Sequence, residues 1–173
     1  QIEGAPPGNT INVNTGVKKA LTSGNFEVRE TNLSRDGKSF YLTASAEGPH
    51  ERHFYRLPIA GGKLEKITTL KGGNEVSLSP DESTLAIRYS FSNQPWELYW
   101  MTNRSGATPL QLTSSTSAAF KTYPWRTPEI VWFTARDGVK VPARLYKPNK
   151  AAPSRPAVIF VHGAGYLQNV HNW

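Results

Sequence analysis

The 173-residue chain contains no cysteine. That excludes disulfide bridges, a thiolate nucleophile and cysteine-ligated zinc, and it leaves the redox compartment open. Long apolar runs are also missing, since nothing approaches the roughly 18 residues of a membrane-spanning helix. The opening "QIEGAPPGNT" lacks the basic and then apolar pattern of a secretory signal. The expectation is a soluble chain with any export signal absent or already removed. No window carries convincing helical periodicity. Hydrophobic residues make up 38%, glycine not included. Instead, 14 Gly and 13 Pro divide the sequence into short pieces.

The net charge is +7, which raises the question of a nucleic-acid partner. Its distribution answers against one. Residues 1–120 carry 12 Lys/Arg against 11 Asp/Glu, and residues 121–173 carry 8 against 2. The excess falls as single charges between apolar residues. In "VKVPARLYKP", period-2 alternation places Lys140 and Arg144 opposite Val139, Val141, Ala143 and Leu145, as on a solvated strand face. Neither a nucleic acid nor a membrane is expected as partner.

The first 120 residues repeat. "LSRDGKSFYLTAS" begins at Leu33 and "LSPDESTLAIRYS" at Leu78, 45 residues later. "HFYRLPIAGGKLEKIT" matches "ELYWMTNRSGATPLQLT", with Tyr55 on Tyr99 and Ile67-Thr68 on Leu112-Thr113. A third copy of that tail ends at Leu21-Thr22 in "INVNTGVKKALT". Each copy reads as three or four short strands rich in β-branched and aromatic residues, separated by Gly-containing turns. A period of this length is that of a β-propeller blade. In "LSxD" the Asp can bond backbone amides two residues on, and the residue after it takes a positive φ. An ordinary antiparallel sandwich is the alternative. The fold class expected is mainly β: a partial propeller of about two and a half blades over residues 1–123.

The character changes over residues 124–173. "EIVWFTA" and "VKVPARLY" flank Arg136-Asp137-Gly138, a hairpin signal, and Pro142 assigns the second strand to a sheet edge. After the polar loop "NKAAPSRP", the continuously apolar "AVIFV" reads as a strand buried on both faces. It feeds His162-Gly163-Ala164-Gly165. Hairpin, loop, buried strand and Gly-rich turn are the opening order of an α/β-hydrolase, where the loop after the third strand gives one oxyanion-hole amide. Small residues let those amides approach an oxyanion to about 2.7–3.1 Å. The candidate catalytic residues are therefore His162, Gly163 and Ala164. The competing reading is a sharp turn at a strand end.

The two "LSxD" starts, the junction "EIVWFTARDGVKVPARLYKP" and the loop "VHGAG" together resemble the prolyl oligopeptidase family of serine peptidases. The likeness is to its dipeptidyl-peptidase-IV-like and acylaminoacyl-peptidase-like branches. The most specific element is F-x-x-x-D-G-x-x-V-x-A-x-L-Y-x-P, spanning Phe133 to Pro148. The resemblance implies a serine exopeptidase that cleaves short peptides, often after proline, beneath a propeller. It implies no cofactor, and its partners are a peptide substrate and the remainder of the polypeptide or other copies of the chain. Exported bacterial relatives make a periplasmic or secreted location conceivable, with the cytoplasm as the alternative.

Many members carry a Tyr where His162 stands, so this chain is closer to a His-Gly-Gly-Pro variant, with Gly165 in place of the Pro. The variant implies that the amide of Gly163 or Ala164 does the work, and Tyr166 is not given the Tyr role. No G-x-S-x-G occurs. His162 and His171 precede the place where a nucleophile would come in this fold, so neither is the triad His by chain order. The chain is expected to be a fragment, inactive alone. The alternatives are a propeller-type binding module and a non-peptidase hydrolase such as an esterase.

Other residues are assigned structural roles. "HERH", His50 to His53, lacks a third ligand at a recognisable spacing and is not taken as a metal site. Trp96, Tyr99 and Trp100 are expected to pack between blades rather than form a binding platform. Trp125 and Trp132 are expected to seal the junction. Sequons at Asn32 and Asn103 matter only in a eukaryotic secretory setting.

Overall fold

The computed structural model describes residues 8–165 and 167–173; Tyr166 and the first seven residues lie outside the described part. A short hairpin opens the chain, β1 (Asn9–Ile11) against β2 (Lys18–Ala20). Two four-stranded antiparallel meanders follow. The first is β3 (Val28–Leu33), β4 (Ser39–Ala44), β5 (His53–Pro58) and β6 (Glu65–Lys66), and the second is β7 (Gly73–Leu78), β8 (Thr84–Phe91), β9 (Gln94–Thr102) and β10 (Leu110–Gln111). Val28, Ser39 and Glu65 open strands whose counterparts open 45 residues later, at Gly73, Thr84 and Leu110. The repeat read in the sequence is a repeat of four-stranded antiparallel sheets, an arrangement consistent with propeller blades.

The "LSxD" turns fold identically. In the first, Ser34 Oγ donates to Asp36 Oδ1 at 2.7 Å, and the amides of Lys38 and Ser39 donate to Asp36 Oδ1 and Ser34 Oγ, both at 3.0 Å. In the second, Ser79 Oγ donates to Asp81 Oδ1 at 2.6 Å, with Ser83 and Thr84 amides in the same roles at 3.1 and 3.0 Å. The next residue takes the left-handed conformation: Gly37 at φ 67° and Glu82 at φ 60°. Each turn thus satisfies its own backbone groups locally.

A second device closes each unit. Phe54 N–H donates to Thr68 Oγ1 at 3.0 Å, Leu98 N–H to Thr113 Oγ1 at 2.8 Å, and Gly8 N–H to Thr22 Oγ1 at 2.8 Å. The Ile-Thr and Leu-Thr pairs of the sequence are these latches.

The meanders stack face to face. Tyr41, Phe54 and Ile67 of the first meet Leu85, Ile87, Tyr89, Tyr99 and Met101 of the second in one buried cluster. Tyr41 stacks on Phe54 at 5.5 Å, and Tyr89 meets Tyr99 edge-on at 5.4 Å. The other face of the first meander buries Leu42, Ala44, Tyr55 and Leu57 against Leu21, Phe26 and Val28. Its central strands are therefore covered on both sides, each large apolar side chain contributing about 1.5–3 kcal/mol. The second meander is fully covered on one side only. Leu98, Trp100, Leu110 and Leu112 stand exposed on the other.

After the second meander the structure departs from expectation. A five-residue helix, α1 (Ala118–Thr122), has no counterpart in the sequence reading; Ser117 caps it, accepting from Phe120 N–H at 3.1 Å. The expected hairpin forms as β11 (Glu129–Thr134) and β12 (Lys140–Leu145), with Pro142 opposite Trp132 on a sheet of only two strands. Arg144, however, is only partly exposed. Its guanidinium bonds Ser92 Oγ at 3.3 Å and Tyr146 Oη at 3.0 Å, with Nε buried and without an acceptor among the described residues. The bond to Ser92 brings Arg144 against the β8–β9 turn, whereas Lys140 stays exposed.

The larger correction concerns "AVIFV". Val158–Val161 form no strand and are 82–98% exposed. No α/β-hydrolase sheet is formed among the described residues. A strand needs a ladder partner, and the hairpin β11–β12 pairs only with itself.

Candidate functional site

The turn after Val161 holds the residues singled out by the sequence. His162 is exposed, and its Nδ1 donates to the carbonyl of Gly163 at 2.8 Å, which fixes the proton on that nitrogen. Ala164 takes φ 58°, and Leu167 N–H donates back to the Ala164 carbonyl at 2.8 Å. Added Cβ atoms at Gly163 and Gly165 would meet nothing within 4 Å. The amides of Gly163 and Ala164 find no acceptor among the described residues. His162, Gly163 and Ala164 thus share one open turn. No nucleophile or base is brought beside it among the described residues.

The segment beyond the turn is tied down. Gln168 Nε2 donates to the Pro49 carbonyl at 2.7 Å, and Asn172 N–H donates to the His50 carbonyl at 2.9 Å. The guanidinium of Arg52 lies 4.9 Å above the Trp173 ring, and the His171 ring stacks on that ring at 4.4 Å. Burial pushes the His171 imidazole below its ordinary range, and the nearby cations of Arg52, Arg144 and Arg29 act in the same direction.

The seat is built where the meanders meet. Arg52 and Gly73 form a parallel bridge, Arg52 N–H donating to Gly72 O at 2.9 Å and Asn74 N–H to Arg52 O at 3.2 Å. The fully buried Asn74 side chain bonds Arg52 O at 2.9 Å and Leu70 O at 2.8 Å. Beside it runs an open groove of about 770 Å³ lined by Glu27, Arg29, Glu30, Arg52, Glu75 and Arg88. Two ion pairs tie up most of that charge: Arg29 with Glu27 at 2.9 Å and Arg88 with Glu75 at 2.5 Å.

The remaining candidates separate. Tyr99 is buried between the meanders, whereas Trp100 points to the opposite face and Trp96 lies beneath Arg88 at 4.9 Å, so the three share no platform. Trp125 packs on Phe120 and Tyr123 and remains half exposed, as does Trp132. His53 is fully buried, with Nδ1 at 3.0 Å from Thr68 Oγ1 and Nε2 at 2.8 Å from Glu51 Oε2. That bond holds the Glu51 carboxyl below its ordinary value. The Asn103 amide is engaged by Tyr41 Oη at 3.0 Å and Glu82 O at 2.8 Å.

The sequence reading misses Gly72, Gly73, Arg52 and Trp173. One signal for them exists. At the 45-residue offset, Glu27-Val28 of the first copy becomes Gly72-Gly73 in the second.

Residues 8–96, covering the opening hairpin, the first meander, β7, β8 and the start of β9, match the family described as the dipeptidyl peptidase IV (DPP IV) N-terminal region. The chain belongs to that family. Among curated proteins it is similar to a probable dipeptidyl-aminopeptidase B of Talaromyces marneffei, 33% identical over 89 residues, 49% of this chain and 10% of that protein. The protein of that name from Coccidioides posadasii is 33% identical over 81 residues, 44% of this chain and 9% of the relative. That from Uncinocarpus reesii is 26% identical over 158 residues, 87% of this chain and 17% of the relative. The matched parts thus make up 9–17% of the length of these relatives.

Proposed function

We propose that the chain is a segment of a serine exopeptidase of the dipeptidyl aminopeptidase type. In this reading residues 1–123 are the last blades of a β-propeller, and residues 124–173 are the junction and first strands of an α/β-hydrolase domain. The observation that carries it is the continuity of the two parts: sheets matching the DPP IV N-terminal family run in one chain into a Gly-rich turn with uncommitted amides.

The chemistry is acyl transfer. A serine encoded beyond this segment adds to the scissile carbonyl, its proton passing to a histidine and then to the departing amine. Water afterwards releases the acyl group as a carboxylic acid. The Gly163 and Ala164 amides donate to the oxygen that becomes negative, a contribution of about 2.7–4 kcal/mol where such a donor has been removed elsewhere. Val158–Val161 become a buried strand when flanking strands are present. The substrate is a short peptide with a free amino terminus.

The reading is tested with a fluorophosphonate probe. The longer polypeptide carrying this segment should label on serine and release dipeptides from chromogenic substrates, and the 173-residue chain should do neither. Labelling of the short chain, or a longer polypeptide inert in both assays, would defeat it.

A further inference from the structure

We infer that the Gly72–Gly73 notch, with Arg52 and the Pro49–His50 carbonyls, is a receptor for residues Gln168–Trp173. Through it the propeller-like sheets position the His162–Gly165 turn. The positioning role rests on the acyl-transfer reading of that turn, whereas the docking does not.

The notch has been cleared of side chains. In the first meander the equivalent places carry Glu27 and Val28, and Val28 packs on the apolar cluster of Leu42 and Tyr55. In the second they carry Gly72 and Gly73. A Cβ on Gly73 would stand 2.7 Å from Trp173 Cγ and 3.1 Å from Trp96 Cη2; Gly72, at φ 120°, is required first by the Ser90 carbonyl oxygen at 2.5 Å from its Cβ position and only then by the Asn172 carbonyl oxygen at 3.2 Å. Repetition alone favours a valine here, and the ring of Trp173 occupies the space instead.

The contact is directional as well as apolar. The indole lies beside Trp96, which shares the outward side of β9 with Leu98 and Trp100, so the apolar part of the seat is one end of that face. What singles out that end is the pair of carbonyls of Pro49 and His50, which accept from the segment at 2.7 and 2.9 Å. A cation covers the ring that completes the site. Arg52 cannot drift, because its backbone is pinned by Gly72 and Asn74 across both meanders.

The receptor lies close to the turn in sequence. Only two residues separate Gly165 from Gln168, a span of at most about 10 Å. The Leu167 to Ala164 bond closes that short connection. Movement at the anchor is therefore passed to the amides of Gly163 and Ala164, and a misplacement of about 1 Å at an acyl-transfer site costs on the order of 10²-fold in rate.

The test uses the full-length polypeptide with Gly73→Val, which restores the residue type of the first meander, and with Trp173→Ala and Trp173→Phe. Hydrogen exchange followed by mass spectrometry should quicken by about tenfold or more at the bonded amides of Leu167, Val170 and Asn172 in Gly73→Val and Trp173→Ala. Trp173→Phe, which keeps an aromatic face under Arg52, should stay near the parent. In the same two disrupted variants kcat should fall on the order of 10²-fold with KM within about twofold, and the melting temperature should hold. Unaltered exchange would overturn the docking. Quickened exchange with unchanged kcat would overturn the positioning role. A parent without peptidase activity or probe labelling would remove the acyl-transfer reading alone, and the exchange measurement would still decide the receptor.

Discussion

Thr68 and Thr113 hold the same place in successive meanders, each accepting the backbone N–H of the residue that follows the first buried side chain of its sheet's third strand. The donors are Phe54 at 3.0 Å and Leu98 at 2.8 Å. Their surroundings differ. Thr68 is buried and also meets His53 Nδ1, while Thr113 is exposed and meets Glu97 Oε2 at 2.5 Å. Replacing Thr68 with Val leaves a buried amide unsatisfied and should destabilise the fold by about 1–3 kcal/mol. Water can replace the hydroxyl at Thr113, so Thr113→Val should cost well under half as much. Urea denaturation of the two variants decides it, and equal losses would contradict the difference in burial.

The turns give a conformational prediction. A Cβ added to Gly37, at φ 67°, would have nothing within 4 Å, so any penalty for a side chain there is backbone strain rather than collision. Gly37→Val should lower stability by about 1–2 kcal/mol, whereas Gly37→Asn should be nearly neutral. Thermal melting measured on both variants separates strain from packing.

The pH dependence follows from Asp81. The Ser79 hydroxyl first, then the hydroxyl and amide of Ser83, hold its carboxyl at about 2, below the ordinary 3.8. The folded value is the depressed one, so the contribution is complete above 3.8 and is lost as pH falls towards about 2. Urea midpoints taken at about pH 5 and about pH 3 should drop further in the parent than in Asp81→Asn. Parallel drops would show that the turn does not hold the charge.

The uncovered face of the second meander should be adhesive. Leu98 stands where Phe54 stands in the first meander, on the side that there is covered by the next sheet. The chain at micromolar concentration should self-associate through this face, and Leu98→Lys with Trp100→Glu should shift sedimentation towards the monomer. An unchanged distribution would place the association elsewhere.

Short-range chemistry determines the features that are legible in the sequence. The "LSxD" turns hydrogen-bond within six residues, and the hairpin around Asp137-Gly138 needs only its own two strands, so both can be read directly. The 45-residue period gives the sheet repeat because each copy solves the same packing problem. "AVIFV" is different. Continuous apolarity marks a segment that would be buried, yet burial and strand pairing depend on partners distant in sequence, and none among the described residues pairs with it. The seat of Trp173 is illegible for the same reason, since its parts lie roughly a hundred residues apart. Only the loss of two side chains at Gly72-Gly73 betrays it. Arg144 looks solvated by alternation because alternation assigns faces, and it cannot say that a neighbouring turn will press against one of them.

Because Gln168 and Asn172 grip the first meander while β12 is held in its hairpin, the stretch between them is fastened at both ends like a bowstring. Its exposed valines and phenylalanine, Val158, Val161 and Phe160, belong to a segment tethered at both ends. Any sheet that later recruits them meets a strand whose closure entropy has already been spent, a cost that grows only by about 0.6 kcal/mol per doubling of span.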